Sequence, residues 1–167
     1  MESVYTKNII EFVTVALEYC AYLEQCEDKK FPDFVSVMQK VLALLYLKAA
    51  IVEKPVILGN SDVPQAVTEA MYQNIQKKVS DLMGEHDDYF DGDEATSVSE
   101  NLADIYQELK DFIMNYKNGN QAVSSDSLYT CLDAFETYWG IKRLNCIKTL
   151  HGIAYNPVSD DVQGDNN

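Results

Sequence analysis

Apolar residues recur every three to four positions through most of this chain, and that spacing restricts the fold to helices packed against one another. The first segment shows the pattern on two adjacent stripes, which begin at Ile9 and Phe12 and end at Leu23 and Cys26. Such spacing forms a continuous face of an α-helix, and a face this wide predicts contact with two neighbouring helices. The strict alternation of polar and apolar residues that is typical of a half-buried strand does not stand out anywhere in the sequence.

Four further segments carry the helical spacing, separated by turn signals. The second helix is expected from Pro32 to about Glu53. Because it has almost no polar face, it is predicted to be the central and most buried element. Capping and turn residues place the starts of the other three helices. These starts are expected at Pro64, at a capping box of Ser97 and Glu100, and near Ser124.

Length and composition agree with one folded domain. The chain has 167 residues, of which 47% are hydrophobic and 24% charged, which is enough to bury a core without disulfides or metals. The sequence therefore predicts an all-α, single-domain bundle of about five helices, mainly up-and-down, over residues 1–155. Residues 156–167 are expected to form a short, disordered acidic tail.

The charge of the chain argues against two classes of binding partner. Twenty-seven acidic residues against 13 basic ones give a net charge of −14, which argues against binding to nucleic acids or to anionic membranes.

The most apolar stretch, residues 42–52, is far shorter than the roughly 20 residues that a membrane-spanning helix needs. The first residues lack the features of a signal peptide, so a cytoplasmic location is expected. The four cysteines are expected to be structural thiols.

One segment departs from the helical pattern. Residues 85–94 contain six carboxylates, with Tyr89 and Phe90 among them. A calcium-binding EF-hand loop starting at Asp87 would need a glutamate at its twelfth position, where the chain has Val98. The run is therefore predicted to be a mobile, solvated connection before the fourth helix, and Ca²⁺ or Mg²⁺ binding there is a weaker alternative.

The sequence contains no recognisable motif for catalysis or for cofactor binding. Neither His86 nor His151 follows a glutamate by three positions, as a di-iron bundle requires. A glycine-rich nucleotide loop is also missing from the sequence. The acids on the fourth helix are expected on its solvated face. These acids are Asp104, Glu108 and Asp111. No cofactor or metal is expected, and the sequence favours a non-catalytic role while leaving an enzymatic one open.

The aromatic residues suggest an alternative kind of site. The chain has 11 tyrosines, and a tyrosine on a helix usually buries its ring at the margin of the core. Some of them can instead line a pocket for a small molecule. The candidate residues for this pocket are Tyr46, Tyr106, Tyr138 and Trp139. Gly140, in the middle of the last helix, is expected to allow a close helix crossing.

Several sequence blocks resemble a known family. The chain is similar to the uncharacterised bacterial family "domain of unknown function 5063" over about residues 5–155. The blocks that carry the resemblance are E-F-V-T-V-A-L-E-Y-C-A-Y-L-E, L-L-Y-L-K-A, H-D-D-Y-F-D, S-E-N-L-A-D-I-Y-Q-E-L-K-D-F-I and F-E-T-Y-W-G. The resemblance implies a compact helical protein of gut-type anaerobic bacteria and supplies no activity. It implies that any functional surface includes residues of these blocks, among them Asp87, Asp88, Tyr89, Asp104 and Tyr106.

These observations favour a non-catalytic helical protein-interaction module that works through an acidic, tyrosine-bearing surface. The candidate surface consists of Asp87, Asp88, Tyr89 and Asp91. The expected partner is a basic protein or a second copy of the chain. The alternative is a small-molecule binder or an enzyme with the tyrosine- and tryptophan-lined pocket.

Overall fold

The computed structural model describes residues 3–59, 63–118 and 120–156, and within these ranges the fold is an all-α bundle. The helices are α1 (Lys7–Glu24), α2 (Phe31–Ala50), α3 (Glu69–Met83), α4 (Val98–Asn118), α5 (Gln121–Ala134) and α6 (Gly140–Tyr155). A π-helical segment, Phe135–Trp139, joins α5 to α6 without a break, so the described ranges form five helical rods, as the sequence predicts. The expected tail lies outside the described residues beyond Asn156, and so does most of the turn at residues 59–62.

The centre of the bundle is α4, which packs against α1, α3, α5 and α6. The prediction that the second helix is central is wrong. Helix α2 packs mainly on α1 and α6. Toward its C-terminal end, three apolar residues are 44%, 54% and 41% exposed: Leu44, Leu47 and the following Ile51. The apolar content of a helix does not fix its position in the bundle, because α4 is central although one of its faces is polar.

Side-chain caps set where the helices begin. Ser97 accepts a hydrogen bond from the backbone N–H of Glu100 (3.1 Å), which confirms the predicted serine cap before α4. Helix α3 begins at Glu69, later than predicted, because Thr68 is its cap and accepts from the N–H of Met71. Helix α5 begins at Gln121, slightly earlier than predicted, because Asn120 caps it instead of a serine.

Residues 84–97 form an ordered turn and hairpin, and the prediction of a mobile connection is wrong. A 3₁₀ turn (Gly84–His86) leads into two antiparallel strands, β1 (Asp88–Asp91) and β2 (Glu94–Ser97), in which Phe90 pairs with Ala95. The two-residue turn has a positive φ of 61° at Gly92 and none at Asp93, the pattern of a type II′ hairpin turn. Strands of four residues are too short to show alternation in the sequence.

The π segment explains the glycine in the last helix better than a helix crossing does. A π turn inserts one extra residue into the helical ladder. A Cβ atom at Gly140 would collide with the carbonyl oxygen of Phe135, five residues earlier in the same helix, and would lie 3.1 Å from its ring. Gly140 therefore permits the local geometry of its own helix.

The described residues include no helix that is long and apolar enough to cross a membrane. The four cysteines are free and buried. Burial raises the pKa of the Cys20 and Cys131 thiols well above the usual range, which makes them poor nucleophiles.

Candidate interaction site

The hairpin is fixed at its base by Asp87, which caps α4. One carboxylate oxygen accepts from the backbone N–H of Ser99 (2.7 Å) and the other from the Ser99 hydroxyl (2.6 Å). The backbone carbonyl of Asp87 accepts from the N–H of Val98 (2.9 Å). Only 6% of Asp87 is exposed, so this residue of the predicted surface has a structural role at the helix N-terminus.

The inner face of the hairpin is attached to the bundle. The Tyr89 hydroxyl accepts a hydrogen bond from the amide of Asn101 on α4 (2.6 Å), and burial raises the pKa of this tyrosine. Asp91 accepts from the amide of Asn145 on α6 (2.6 Å). Two of the predicted surface residues, Tyr89 and Asp91, thus hold the strands against α4 and α6.

The outer face of the hairpin is free of such contacts and carries both charge and apolar area. Phe90 is 76% exposed, and Asp88, two residues before it, is also exposed. At the turn, Asp93 and Glu94 are exposed as well, although Glu94 pairs with Asp91 and therefore lies on the same side of the hairpin as Asp91. Within the described ranges, these three acids take part in no ion pair. We call Asp88, Phe90, Asp93 and Glu94 the hairpin surface.

A polar network beside the hairpin ties three helices together. Asp104 on α4 accepts hydrogen bonds from Tyr72 of α3 (2.7 Å), Tyr138 (3.0 Å) and Lys142 of α6 (2.8 Å). Burial opposes the charge of Lys142, but the hydrogen bond with Asp104, the charge of Asp104 and the neighbouring Tyr138 together outweigh this effect, and the pKa of Lys142 is raised. A lysine held in its charged form by a carboxylate is a poor nucleophile or base, so the network's evident role is structural.

The four residues of the predicted pocket lie in different surroundings. Tyr106 donates to Glu24 of α1 (2.9 Å), and Trp139 is fully buried and donates to the carbonyl of Cys131 (3.0 Å). Tyr138 is in the Asp104 network. Tyr46 covers the guanidinium of Arg143 at 4.0 Å, where burial lowers the arginine pKa to about 10. The structure does not bring these four side chains around a common cavity.

The acids of α4 are less solvated than the sequence suggests. Burial raises the pKa of Glu108 and that of Asp111. Asp111 accepts from the backbone N–H groups of Ala66 and Val67 (2.7 and 2.8 Å), in the segment before α3. The expectation of a solvated face is therefore wrong, because that segment covers part of it. Helical spacing alone does not show where a connecting segment will lie.

The described residues do not form a preorganised metal site. Within these ranges, no group of three or more histidine, cysteine, aspartate or glutamate side chains is positioned to hold a metal ion. In the acidic run, Asp87 points to the start of α4 and Asp91 to α6. These directions keep the two carboxylates from sharing one ligand.

Comparison with known proteins places the chain in a family. The sequence model described as "Domain of unknown function (DUF5063)" matches residues 3–156. The crystal structure of protein BF1032 from Bacteroides fragilis is similar, with 40% sequence identity and a TM-score of 0.89 over 93% of this chain and 98% of that one. No curated protein matches the chain. The chain therefore belongs to the DUF5063 family, whose function is unknown.

Proposed function

We propose that the protein is a non-catalytic interaction module and that the hairpin surface binds a basic partner protein. The observation that carries this proposal is the exposure of Phe90, which is 76% exposed on an ordered hairpin among carboxylates. A large aromatic side chain that protrudes into solvent is a typical anchor of a protein interface. The proposed site of action is the cytoplasm, where the four free thiols stay reduced.

The rigidity of the hairpin supports this role. Asp87, Tyr89 and Asp91 hold its base and inner face against the bundle. The outer face is therefore presented in one conformation before any partner arrives. Preorganisation lowers the entropy cost of binding, so a small surface with one aromatic anchor can bind a partner specifically.

Charge favours a basic partner over a second copy of the chain. Each molecule carries a net charge of −14, and the exposed acids of the hairpin surface would face one another in a symmetric contact through it. Like charges at an interface weaken association, whereas a basic patch on the partner attracts the surface and speeds encounter. The partner is expected to present lysines or arginines around a pocket that receives Phe90.

The proposal is tested by comparing the proteins that bind to wild type and to two hairpin variants. One variant is Phe90→Ala, and the other combines Asp88→Asn, Asp93→Asn and Glu94→Gln. We expect both variants to lose the same partner, and we expect wild type to release it as salt rises. Glu18→Gln removes an exposed acid of a different helix, α1, and should leave binding unchanged.

Neutralising Asp87 would not be a clean test, because that carboxylate holds the start of α4. The three acids of the combined variant are exposed, so their replacement should leave folding intact. A partner that binds wild type, Phe90→Ala and the triple variant equally well would show that the hairpin surface is not the binding site.

A further inference from the structure

A cleft that shares no residue with the hairpin surface lies between α4, α5 and the segment before α3. Its volume is about 480 Å³, within the range of small-molecule sites. Three of its described lining residues are acids, and none is basic. The acids are Glu108, Asp111 and Asp126. Ile57, Pro64 and Phe112 provide apolar walls. We call this site the acidic cleft.

The structural tasks of these acids leave part of their bonding capacity unused. Asp111 uses one oxygen for the backbone N–H groups of Ala66 and Val67. Asp126 uses Oδ1 for the N–H of Leu58 (2.8 Å). Asp126 is only 2% exposed, and its other oxygen, Oδ2, is buried without a hydrogen-bond partner among the described residues. An unpaired buried carboxylate oxygen is costly, and a donor from a ligand would remove that cost.

The electrostatics of the cleft point to a positively charged ligand. Burial raises the pKa of Glu108, and the nearby charge of Asp111 raises it further. No basic side chain of the described residues offsets these charges from the lining of the cleft. A cation that enters the cleft would be attracted by all three acids in a partly desolvated setting, where charge pairs are stronger than in water.

The spacing of the acids selects the kind of cation. Metal ions need several ligands within a short distance, and no such group of three exists among the described residues. An organic cation is larger and can reach separate carboxylates through different N–H donors. The apolar walls would contact its carbon atoms, as is common in small-molecule sites.

We propose that the acidic cleft binds a small organic cation with one or two aliphatic ammonium groups. The Asp126 carboxylate accepts a hydrogen bond from the ligand, and Glu108, which is less buried, provides a second negative contact. Ile57, Pro64 and Phe112 pack against its methylene groups. This site is separate from the hairpin surface, so its ligand and the partner protein can bind independently.

The test is calorimetric titration of the full chain with cadaverine at low ionic strength. We expect saturable binding of cadaverine and none of a diol of the same length, which lacks the charges. A blocked lysine amide, titrated alongside, distinguishes a free amine from a lysine side chain as the source of the ammonium group, and binding of either supports the site. Asp126→Asn should weaken binding by roughly tenfold or more, as expected for loss of a charged hydrogen bond.

Two variants of the cleft and two control variants of the hairpin make the test decisive. Asp126→Asn keeps an oxygen for the N–H of Leu58 and should fold. If it does not fold, Glu108→Gln tests the same site and should also weaken cadaverine binding. Asp88→Asn removes the same charge from the hairpin and should leave cadaverine binding unchanged, as should Phe90→Ala. The proposal is overturned if neither amine binds, if Asp88→Asn weakens binding as much as Asp126→Asn, or if Ca²⁺ alone binds the cleft with equal affinity.

Discussion

At the scale of single residues, two neighbouring aspartates of the acidic run have opposite roles. Asp87 is buried and caps α4, whereas Asp88 is exposed on the hairpin surface. Asp87→Ala removes acceptors from the start of a central helix and should lower the free energy of unfolding by about 1–2 kcal/mol. Asp88→Ala should change it by less than about 0.5 kcal/mol. Urea unfolding of both variants measures the difference, and equal effects would contradict the assigned roles.

The charge of Glu108 makes the stability of the fold depend on pH. Burial raises its pKa in the folded state above that of an ordinary glutamate. The charged form is therefore disfavoured by folding, so stability falls as pH rises through the raised pKa and recovers as pH drops. Glu108→Gln should raise the melting temperature at pH 7, and the difference from wild type should shrink as pH falls toward the pKa of an ordinary glutamate. A variant that melts below wild type at pH 7 would show that the charge of Glu108 stabilises the fold.

At the scale of elements, the π segment reverses the usual effect of replacing a helical glycine. Gly140→Ala would place a methyl group against the carbonyl of Phe135, and overpacking of this kind should destabilise the protein by roughly 1–3 kcal/mol. Gly152 lies in the same helix with nothing within 4 Å of its added Cβ. Gly152→Ala should therefore stabilise by about 0.4–1 kcal/mol. Both effects can be read from urea unfolding, and stabilisation by Gly140→Ala would mean that the helix is regular there.

The elements differ in how far the sequence could predict them. The helices carry apolar stripes over 14 to 21 residues, long enough for their period to be clear, and the capping box at Ser97 marks the start of α4 directly. The hairpin strands have only four residues each. The six carboxylates in the same segment favoured a solvated connection over a strand. The π segment differs from an α-helix by one residue, and the only signal for it is Gly140.

The sequence could predict the candidate sites only in part, because they depend on contacts between residues that are far apart in the chain. The sequence placed Asp88, Tyr89 and Asp91 in one candidate surface, and all three do lie on the hairpin. It could not show that Tyr89 and Asp91 face the bundle, because that depends on Asn101 and Asn145 in other helices. The acidic cleft joins α4, α5 and a connecting segment, and no short motif encodes such a meeting.

At the scale of the whole molecule, the net charge of −14 shapes association more than fold. Part of the charge has local structural uses, as at Asp87 and Asp111. The carboxylates of the hairpin surface have none within the described residues, and their field extends over about 8–10 Å at physiological salt. A protein of this charge repels its own copies and attracts basic surfaces. Partner binding should therefore weaken steadily as ionic strength rises.

The most direct test of the central claim is amide hydrogen exchange of the protein with and without its captured partner. If the hairpin surface is the binding site, the partner should slow exchange at residues 88–97 and leave the exposed apolar face of α2 unchanged. The Phe90→Ala variant should show no such protection at the same concentrations. Protection confined to α2, or an unchanged hairpin in a saturated complex, would contradict the proposal.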